Sequence, residues 1–208
     1  IMNIYDSDPQ SEYGHINSNQ FKVSSPAKKI FESENFYDDP YAVRDFALDQ
    51  WDHDDEGFLG YRTRKQYFFD GTKEKFESIL GMKITEWEGH TMNGRFQSNK
   101  AGTPLVYHCD EQTWAACIYM TPDAPVATGT SFFKHKETGL RGGENNIGEA
   151  FNGKTFVDRT PYEMVDTVGN VFNRLVIWDA KLIHSATDYF GWDINSSRLF
   201  HIFFFDAK

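Results

Sequence analysis

Hydrophobic and polar residues alternate in two different ways along this chain, and the change falls near Ile84. Before that residue, the segments 40–49 and 72–81 place apolar side chains three and four positions apart, which is the spacing of one helix face. Pro40 suits the first turn of a helix, and Gly81 is a common helix stop. The pattern therefore predicts two amphipathic helices in the N-terminal part of the chain.

From Ile84 onward, short aromatic and β-branched runs are separated by turn residues. Runs of this kind favour strands, and their brevity and number are typical of an antiparallel sandwich or barrel. One further helix is predicted at 160–171, where Thr160 suits the cap and Pro161 the first turn. The stretch 136–158 is rich in Gly, Asn and Glu and lacks periodicity, so we expect a long excursion at one end of the barrel.

The length of 208 residues, without repeats or long linkers, predicts a single domain over 1–208. Within it, we expect residues 1–83 to form an N-terminal helical support region and residues 84–206 to form the β core. Hydrophobic residues make up 39% of the chain, which is enough to build a core and argues against disorder.

Charge and cysteine content narrow the class of protein. Asp plus Glu outnumber Lys plus Arg by 31 to 21, and the net charge of −10 opposes phosphate binding, so a nucleic-acid partner is not expected. No apolar run reaches the ~20 residues of a membrane span, and two cysteines form no disulfide framework. We expect a soluble, cytoplasmic protein whose acidic balance favours a neutral or cationic primary substrate. Its oligomeric state is left open by the sequence.

The most informative segment is YHCDEQTW, in which His108 and Asp110 stand two positions apart in a strand-like run. Side chains at i and i+2 lie on one face of a strand, so the imidazole and the carboxylate would point into one space while Cys109 points away. His184, which follows the apolar run RLVIWDAKLI, could supply a third ligand. Two imidazoles and one carboxylate form the facial triad that binds iron(II) and leaves positions open for other ligands. His108, Asp110 and His184 are therefore candidate metal ligands and catalytic residues.

Arg198 stands at the head of the apolar run RLFHIFFFD, in phase with Phe200, Ile202 and Phe204. If those side chains face the barrel interior, the guanidinium does too. A charge there needs an anionic partner, because burying it alone is costly. The alternative is a surface ion pair at the strand mouth.

Taken in order, the HxD pair, the distant histidine and the arginine at the head of the last strand resemble the iron(II)/2-oxoglutarate-dependent oxygenases. GTSFFKHKETG also resembles the glycine-led strand of the prolyl hydroxylase branch, and NRLVIWDAKLIHSATDYFGW resembles a group of uncharacterised bacterial and phage proteins related to these enzymes. The resemblance implies a mainly β fold with supporting helices, a double-stranded β-helix barrel of the jelly-roll or cupin-like kind. It also implies an enzyme that uses iron(II) and 2-oxoglutarate to hydroxylate a protein side chain or a small molecule. His108, Asp110 and His184 would then bind iron, and Arg198 would bind the far carboxylate of 2-oxoglutarate.

Two details refine what the resemblance implies. Many members have Ser or Thr two positions after the arginine to bind the same carboxylate, whereas this chain has Phe200. Another polar group must then assist, and Gln97, Ser131 and Asn93 are candidates. Asp110 favours hydroxylation or oxidative demethylation over chlorination, because the halogenating subgroup has a small residue in its place.

Other candidate residues have simpler interpretations. His135 and His201 fall in strand patterns and are expected to be ordinary barrel residues, and Cys109 and Cys117 lack the CxxC spacing of a redox pair. The alternative function is a non-enzymatic β-sandwich that binds carbohydrate or peptide, with a vestigial or structural metal site. A closed structural zinc site would need four protein ligands, so a three-ligand set with an open face would count against that version.

Overall fold

The structure is a computed structural model that describes residues 29–50, 53–54, 60–142 and 157–208. The α-helices and strands of these residues are, in chain order, β1 (Ile30–Ser33), α1 (Pro40–Asp49), β2 (His53–Asp54), β3 (Tyr61–Thr63), α2 (Thr72–Leu80), β4 (Ile84–Glu86), β5 (Arg95–Asn99), β6 (Trp114–Tyr119), β7 (Thr130–His135), β8 (Tyr162–Val168), β9 (Leu175–Asp179), β10 (His184–Ala186) and β11 (Arg198–Ala207).

The strands form two antiparallel sheets. The larger sheet has the order β1-β9-β6-β11-β5-β3-β2, with β4 also paired to β11, and the smaller sheet has the order β10-β7-β8. Phe132 of β7 and Val168 of β8 pack in one buried cluster with residues of β6, β9 and β11, so the two sheets enclose a common interior. This arrangement confirms the prediction of a mainly β barrel with supporting helices.

Alternate residues of β6 supply two different cores. Ala115, Cys117 and Tyr119 face the interior between the sheets. Their neighbours along the strand belong to a second cluster that includes Phe76 and Leu80 of α2. Successive side chains of a strand point to opposite faces, so the larger sheet is buried on both sides, by the barrel interior and by the helices.

Both predicted N-terminal helices are present. Helix α1 begins after Asp39, whose side chain accepts a hydrogen bond from the backbone N–H of Ala42 at 3.0 Å, and Pro40 occupies its first turn. Helix α2 ends at Gly81 in the left-handed conformation, with φ of 67°. Phe76 of α2 is completely buried, so packing against the larger sheet stabilises this helix more than its own propensity does.

The helix predicted at 160–171 is wrong. The segment is strand β8, which pairs with β7 from His135↔Tyr162 to Thr130↔Val168. The cap at Thr160 and the proline after it favour a helix by about 1 kcal/mol. The hydrogen-bonded pairing with β7 stabilises the strand by more than this amount, and the β-branched residues of the segment suit a strand.

The N-terminal part of the chain is not only helical, because β1, β2 and β3 extend the larger sheet at both of its ends. The division into a support region at 1–83 and a core at 84–206 stays a prediction. Of the predicted excursion at 136–158, residues 143–156 lie outside the described residues. No helix in the described part of the chain is long and apolar enough to cross a membrane.

Candidate metal centre

His108 and His184 face each other across a two-residue antiparallel bridge. The backbone N–H of each donates to the carbonyl of the other, at 3.1 Å and 2.9 Å, and the two imidazole rings lie 4.4 Å apart. Asp110 follows two positions later, and its N–H donates to the carbonyl of Ala180 at 2.8 Å. These backbone bonds bring two segments that are far apart in sequence to one end of the barrel interior.

The three side chains converge as the sequence predicts. One ligand atom from each of His108, Asp110 and His184 lies within 4.8 Å of the others. The carboxylate oxygens of Asp110 lie 3.4 Å from Nε2 of His108 and 3.3 Å from Nε2 of His184. In the described part of the chain, no other group of three His, Cys, Asp or Glu side chains comes together in this way.

The hydrogen bonds of the two rings fit a metal at this point. Nδ1 of His108 lies 3.2 Å from the carbonyl of Val106, and Nδ1 of His184 lies 2.8 Å from the carbonyl of Leu182, so each Nδ1–H has an acceptor. Both Nε2 atoms then present lone pairs toward the carboxylate of Asp110, where a cation would stabilise them. Histidine ligands of metals are usually oriented by a hydrogen bond from their other nitrogen in this way. The Oδ2 atom of Asp110 is buried without a hydrogen bond, which is the condition of a ligand atom that needs a partner.

The electrostatics favour an ionised carboxylate. Burial alone would raise the pKa of Asp110, but positive charge on His184 and His108, when these rings are protonated, holds it well below its ordinary value. Lys181 fixes the neighbouring backbone, since its ammonium donates to the carbonyls of Asp110 at 3.0 Å and Glu111 at 2.6 Å. The carboxylate is therefore held charged and in a defined position.

A cavity of about 130 Å³ opens beside the three residues, and Arg198 lines it as well. Phe200, Ile202 and Phe204 face the same interior, so the alternation predicted for the last strand is confirmed. The other walls are Arg62, Gln97, Cys117, Thr130, Trp178, Ser185, Ala186 and Tyr189.

Arg198 is 3% exposed and is held by the turn that precedes β7. Its Nε–H donates to the carbonyl of Thr128 at 2.9 Å, and Nη2 donates to the carbonyl of Gly129 at 3.2 Å. The guanidinium carbon lies 4.4 Å from the ring centre of Phe200. None of the ion pairs among the described residues includes Arg198, so this buried cation faces the cavity without a carboxylate of its own among them. A buried charge of this kind is suited to an anionic ligand.

Of the three residues suggested as assistants to Arg198, only Gln97 lines the cavity. Ser131 bonds the hydroxyl of Thr187 at 2.6 Å, and the amide oxygen of Asn93 accepts from the N–H of Phe204 at 3.0 Å, so both have other roles. Thr130 is a closer candidate. Its hydroxyl lies 3.4 Å from Nη2 of Arg198 and 2.8 Å from the hydroxyl of Tyr119.

Sequence reasoning missed Arg62, Trp178 and Tyr189 as cavity residues. The sequence contained a signal for Trp178, because it stands two positions after Val176 in the strongly apolar strand β9, so both side chains lie on the same face. Arg62 had almost none, since β3 is only three residues long and shows no readable period.

His201 and His135 have structural surroundings, as expected. His201 is fully buried outside the cavity, with Nδ1 at 2.7 Å from the hydroxyl of Tyr37 and Nε2 at 3.0 Å from the carbonyl of Gly94. Burial lowers its pKa to about 3, so the ring is neutral. Nδ1 of His135 lies 3.2 Å from the hydroxyl of Thr138.

Comparison with known proteins supports the fold. No protein-family model and no curated protein sequence matches the chain. The structure superposes on HygX from Streptomyces hygroscopicus with nickel, 2-oxoglutarate and hygromycin B bound, with a TM-score of 0.55 and 11% identity over 85% of this chain and 82% of HygX. HygX with nickel and 2-oxoglutarate superposes with a TM-score of 0.54 and 12% identity over the same shares. A Pseudomonas putida prolyl-4-hydroxylase gives a TM-score of 0.46 at 12% identity over 85% of this chain and 91% of that one.

The likeness to HygX and the two facing antiparallel sheets confirm the predicted double-stranded β-helix fold. At 11–12% identity, the likeness establishes the fold and leaves the activity to be argued from the residues.

Proposed function

We propose that this protein is an iron(II)- and 2-oxoglutarate-dependent oxygenase, a hydroxylase that acts on a protein side chain or a small molecule. The observation that carries the proposal is one cavity with two ends. At one end lie the ligand atoms of His108, Asp110 and His184, and the buried cation of Arg198 lines the same space. A metal ligand set and an isolated guanidinium are the two groups needed to bind a 2-oxo dicarboxylate.

Iron(II) would be bound by Nε2 of His108, by the carboxylate of Asp110 and by Nε2 of His184. Three protein ligands leave coordination positions open, unlike a closed structural zinc site. Bound iron supplies the oxygen chemistry, in which 2-oxoglutarate is oxidised to succinate and carbon dioxide while one oxygen atom of O₂ enters the substrate. HygX, which has the same fold, binds nickel and 2-oxoglutarate in its structures, and this supports a metal and cosubstrate site in the present chain.

Arg198 would bind the far carboxylate of 2-oxoglutarate through charge-assisted hydrogen bonds. The carbonyls of Thr128 and Gly129 fix the guanidinium before the ligand arrives, so little side-chain freedom is lost on binding. Thr130 stands beside it and would take the part that Ser or Thr plays in other members. Phe200, in the position of that missing residue, packs on the guanidinium instead.

The remaining walls limit water in the cavity. Phe200, Ile202 and Phe204 line it from β11, and Trp178 lies with its ring 5.0 Å from that of His184. An apolar lining strengthens the electrostatic contacts of the bound cosubstrate and disfavours side reactions with water.

Anaerobic titration with iron(II) and 2-oxoglutarate tests the proposal. The wild-type protein is expected to develop the weak visible charge-transfer band of the chelate, and Asp110→Ala should not. If folded wild-type protein shows no band, the alternative of a non-enzymatic carbohydrate- or peptide-binding module is favoured.

A further inference from the structure

The indole N–H of Trp178 is a buried hydrogen-bond donor in the wall of the cavity. Trp178 is buried and lines the cavity, and its Nε1 has no hydrogen-bond partner among the described residues. Buried tryptophans usually have a partner for this group, because an unpaired buried donor is costly. The indole nitrogen only donates, so its missing partner is an acceptor. An oxygen atom of a ligand in the cavity would supply it.

The strand register places Trp178 at the metal end of the cavity. Trp178 of β9 pairs with Ala115 of β6, which in turn pairs with Phe204 of β11. Arg198 stands six residues before Phe204, at the other end of the row of side chains with which β11 lines the cavity. The ring of Trp178 also lies 5.0 Å from that of His184. The donor therefore belongs to the part of the cavity where the proposed metal ligands converge.

Packing fixes the indole ring in this place. Trp178 belongs to the buried cluster between the two sheets, and its ring centre lies 6.1 Å from that of Phe132. Val176, two positions earlier on the same face of β9, is fully buried in the same cluster. A donor on a ring held in this way has a defined position before a ligand arrives, which lowers the cost of binding.

Asp110 does not satisfy the indole N–H. Its Oδ2 atom is also buried without a hydrogen bond, so the two groups do not bond each other. This oxygen lies 3.3 Å from Nε2 of His184 and belongs to the proposed metal ligand set. The acceptor for Trp178 is therefore expected on a ligand that shares the metal with these residues.

The 2-oxo acid end of 2-oxoglutarate carries such an acceptor. Chelation of a metal uses the 2-oxo oxygen and one oxygen of the neighbouring carboxylate, and the second oxygen of that carboxylate stays free of the metal. In a cavity with apolar walls, this oxygen needs a hydrogen-bond donor. A neutral N–H suits it better than a further cation, because the metal already supplies positive charge there.

We propose that the indole N–H of Trp178 donates to this free carboxylate oxygen and so recognises the 2-oxo acid end of the cosubstrate, while Arg198 recognises the far end. This inference rests on the proposed oxygenase function. The hydrogen bond is charge-assisted, since its acceptor is a carboxylate. Trp178 is then a cosubstrate-binding residue as well as part of the apolar wall.

The test measures binding to the full chain without turnover. Nickel(II) is titrated first, and 2-oxoglutarate is then titrated into the nickel-loaded protein. Trp178→Phe removes the N–H and should weaken 2-oxoglutarate binding ~10-fold or more, because a hydrogen bond to a charged group has that worth. Nickel affinity should stay within about twofold of wild type, because phenylalanine keeps an aromatic ring beside His184. Trp114→Phe makes the same change in a tryptophan on the helix side of the larger sheet and should behave as wild type.

A second replacement separates the N–H from the size of the ring. Phenylalanine is smaller than tryptophan and leaves space in a buried cluster. Trp178→benzothienylalanine retains both fused rings and has a sulfur atom in place of the N–H, so it removes the donor with little change of shape. It should weaken 2-oxoglutarate binding as much as Trp178→Phe does.

The outcomes separate the two proposals. If 2-oxoglutarate binds equally well to wild type and to both Trp178 variants, or if only Trp178→Phe is weakened, the N–H does not bind the cosubstrate and the inference is wrong, while the oxygenase proposal stands. If nickel affinity falls as much as 2-oxoglutarate affinity, Trp178 serves the metal ligands and the inference is again wrong. If wild-type protein loaded with nickel does not bind 2-oxoglutarate, the oxygenase proposal fails, and the inference that rests on it fails too.

Discussion

Replacing Arg198 by leucine tests the cosubstrate end of the cavity most directly. A hydrogen bond to a charged group contributes about 1.5–3 kcal/mol, and 1.4 kcal/mol corresponds to about tenfold in affinity. Arg198→Leu should therefore weaken 2-oxoglutarate binding at least ~10-fold, and beyond ~100-fold if two such bonds are lost. Arg198→Lys retains the charge without the fork and should fall between leucine and wild type.

The same substitution has a structural cost that the assay must separate. In the folded protein, the guanidinium donates to the buried carbonyls of Thr128 and Gly129, and leucine leaves both without this donor. The Gly129 carbonyl still accepts from the N–H of Thr187 at 3.0 Å, so the substitution lowers stability without leaving that carbonyl unpaired. The measurement is therefore 2-oxoglutarate affinity by titration on folded protein. Iron(II) affinity is the control, because the hydrogen bonds of Arg198 go to Thr128, Gly129 and Thr130 and not to the proposed metal ligands. Equal 2-oxoglutarate affinity in wild type and in folded Arg198→Leu would refute the assignment.

Three further outcomes are expected. Asp110→Ala should weaken iron(II) binding by at least ~10-fold and abolish coupled formation of succinate; an unchanged iron titration would contradict its role as a ligand. Gly129→Ala should weaken 2-oxoglutarate binding more than iron binding, because the added Cβ would lie 1.8 Å from the carbonyl oxygen of Val168 and must displace the Gly129 carbonyl that positions Arg198; 2-oxoglutarate affinity equal to wild type would argue against that positioning. His201 has a pKa of about 3 in the folded protein against an ordinary 6.5, so the unfolded chain takes up its proton first as the pH falls, and stability declines by about 1.4 kcal/mol per pH unit between those values. Between pH 6.5 and pH 4.5, the loss of stability measured by urea unfolding should be smaller by about 2 kcal/mol in His201→Gln than in wild type. An equal loss in both proteins would exclude this cause.

The positions of Arg198 and of the three candidate metal ligands could be predicted because these residues lie in long or strongly patterned segments. Strand β11 has ten residues, and its alternation was enough to assign Arg198 and Phe200 to the interior. For His108 and Asp110, the prediction that both side chains lie on one face needed only the two-residue period of an extended segment. For His184, the sequence showed an apolar strand before it, and the antiparallel bridge to His108 completed the arrangement.

The parts that sequence reasoning missed depend on contacts between distant segments. The cap and proline at 160–161 are real helix signals, yet β7 lies alongside and pairs with the segment as strand β8. Arg62 enters the cavity only because β3 adds to the edge of β5, which is a pairing between segments more than thirty residues apart with no local pattern behind it. Local propensity cannot predict either effect, because both come from pairing between strands that are distant in sequence.

The strand register also sets the distance between the proposed metal ligands and Arg198. His184 pairs with Phe132, and Ala186 pairs with Thr130, whose hydroxyl lies beside the guanidinium of Arg198. The metal end and the arginine end are thus two residues apart along β7, or about 7 Å at the rise of an antiparallel strand. Four C–C bonds of about 1.5 Å in a zigzag chain, with a carboxylate oxygen beyond each end, span a similar distance. A one-residue slip of β10 against β7 would turn His184 out of the barrel altogether, so the pairing that brings the proposed metal ligands together also sets the distance that the proposed five-carbon cosubstrate would span.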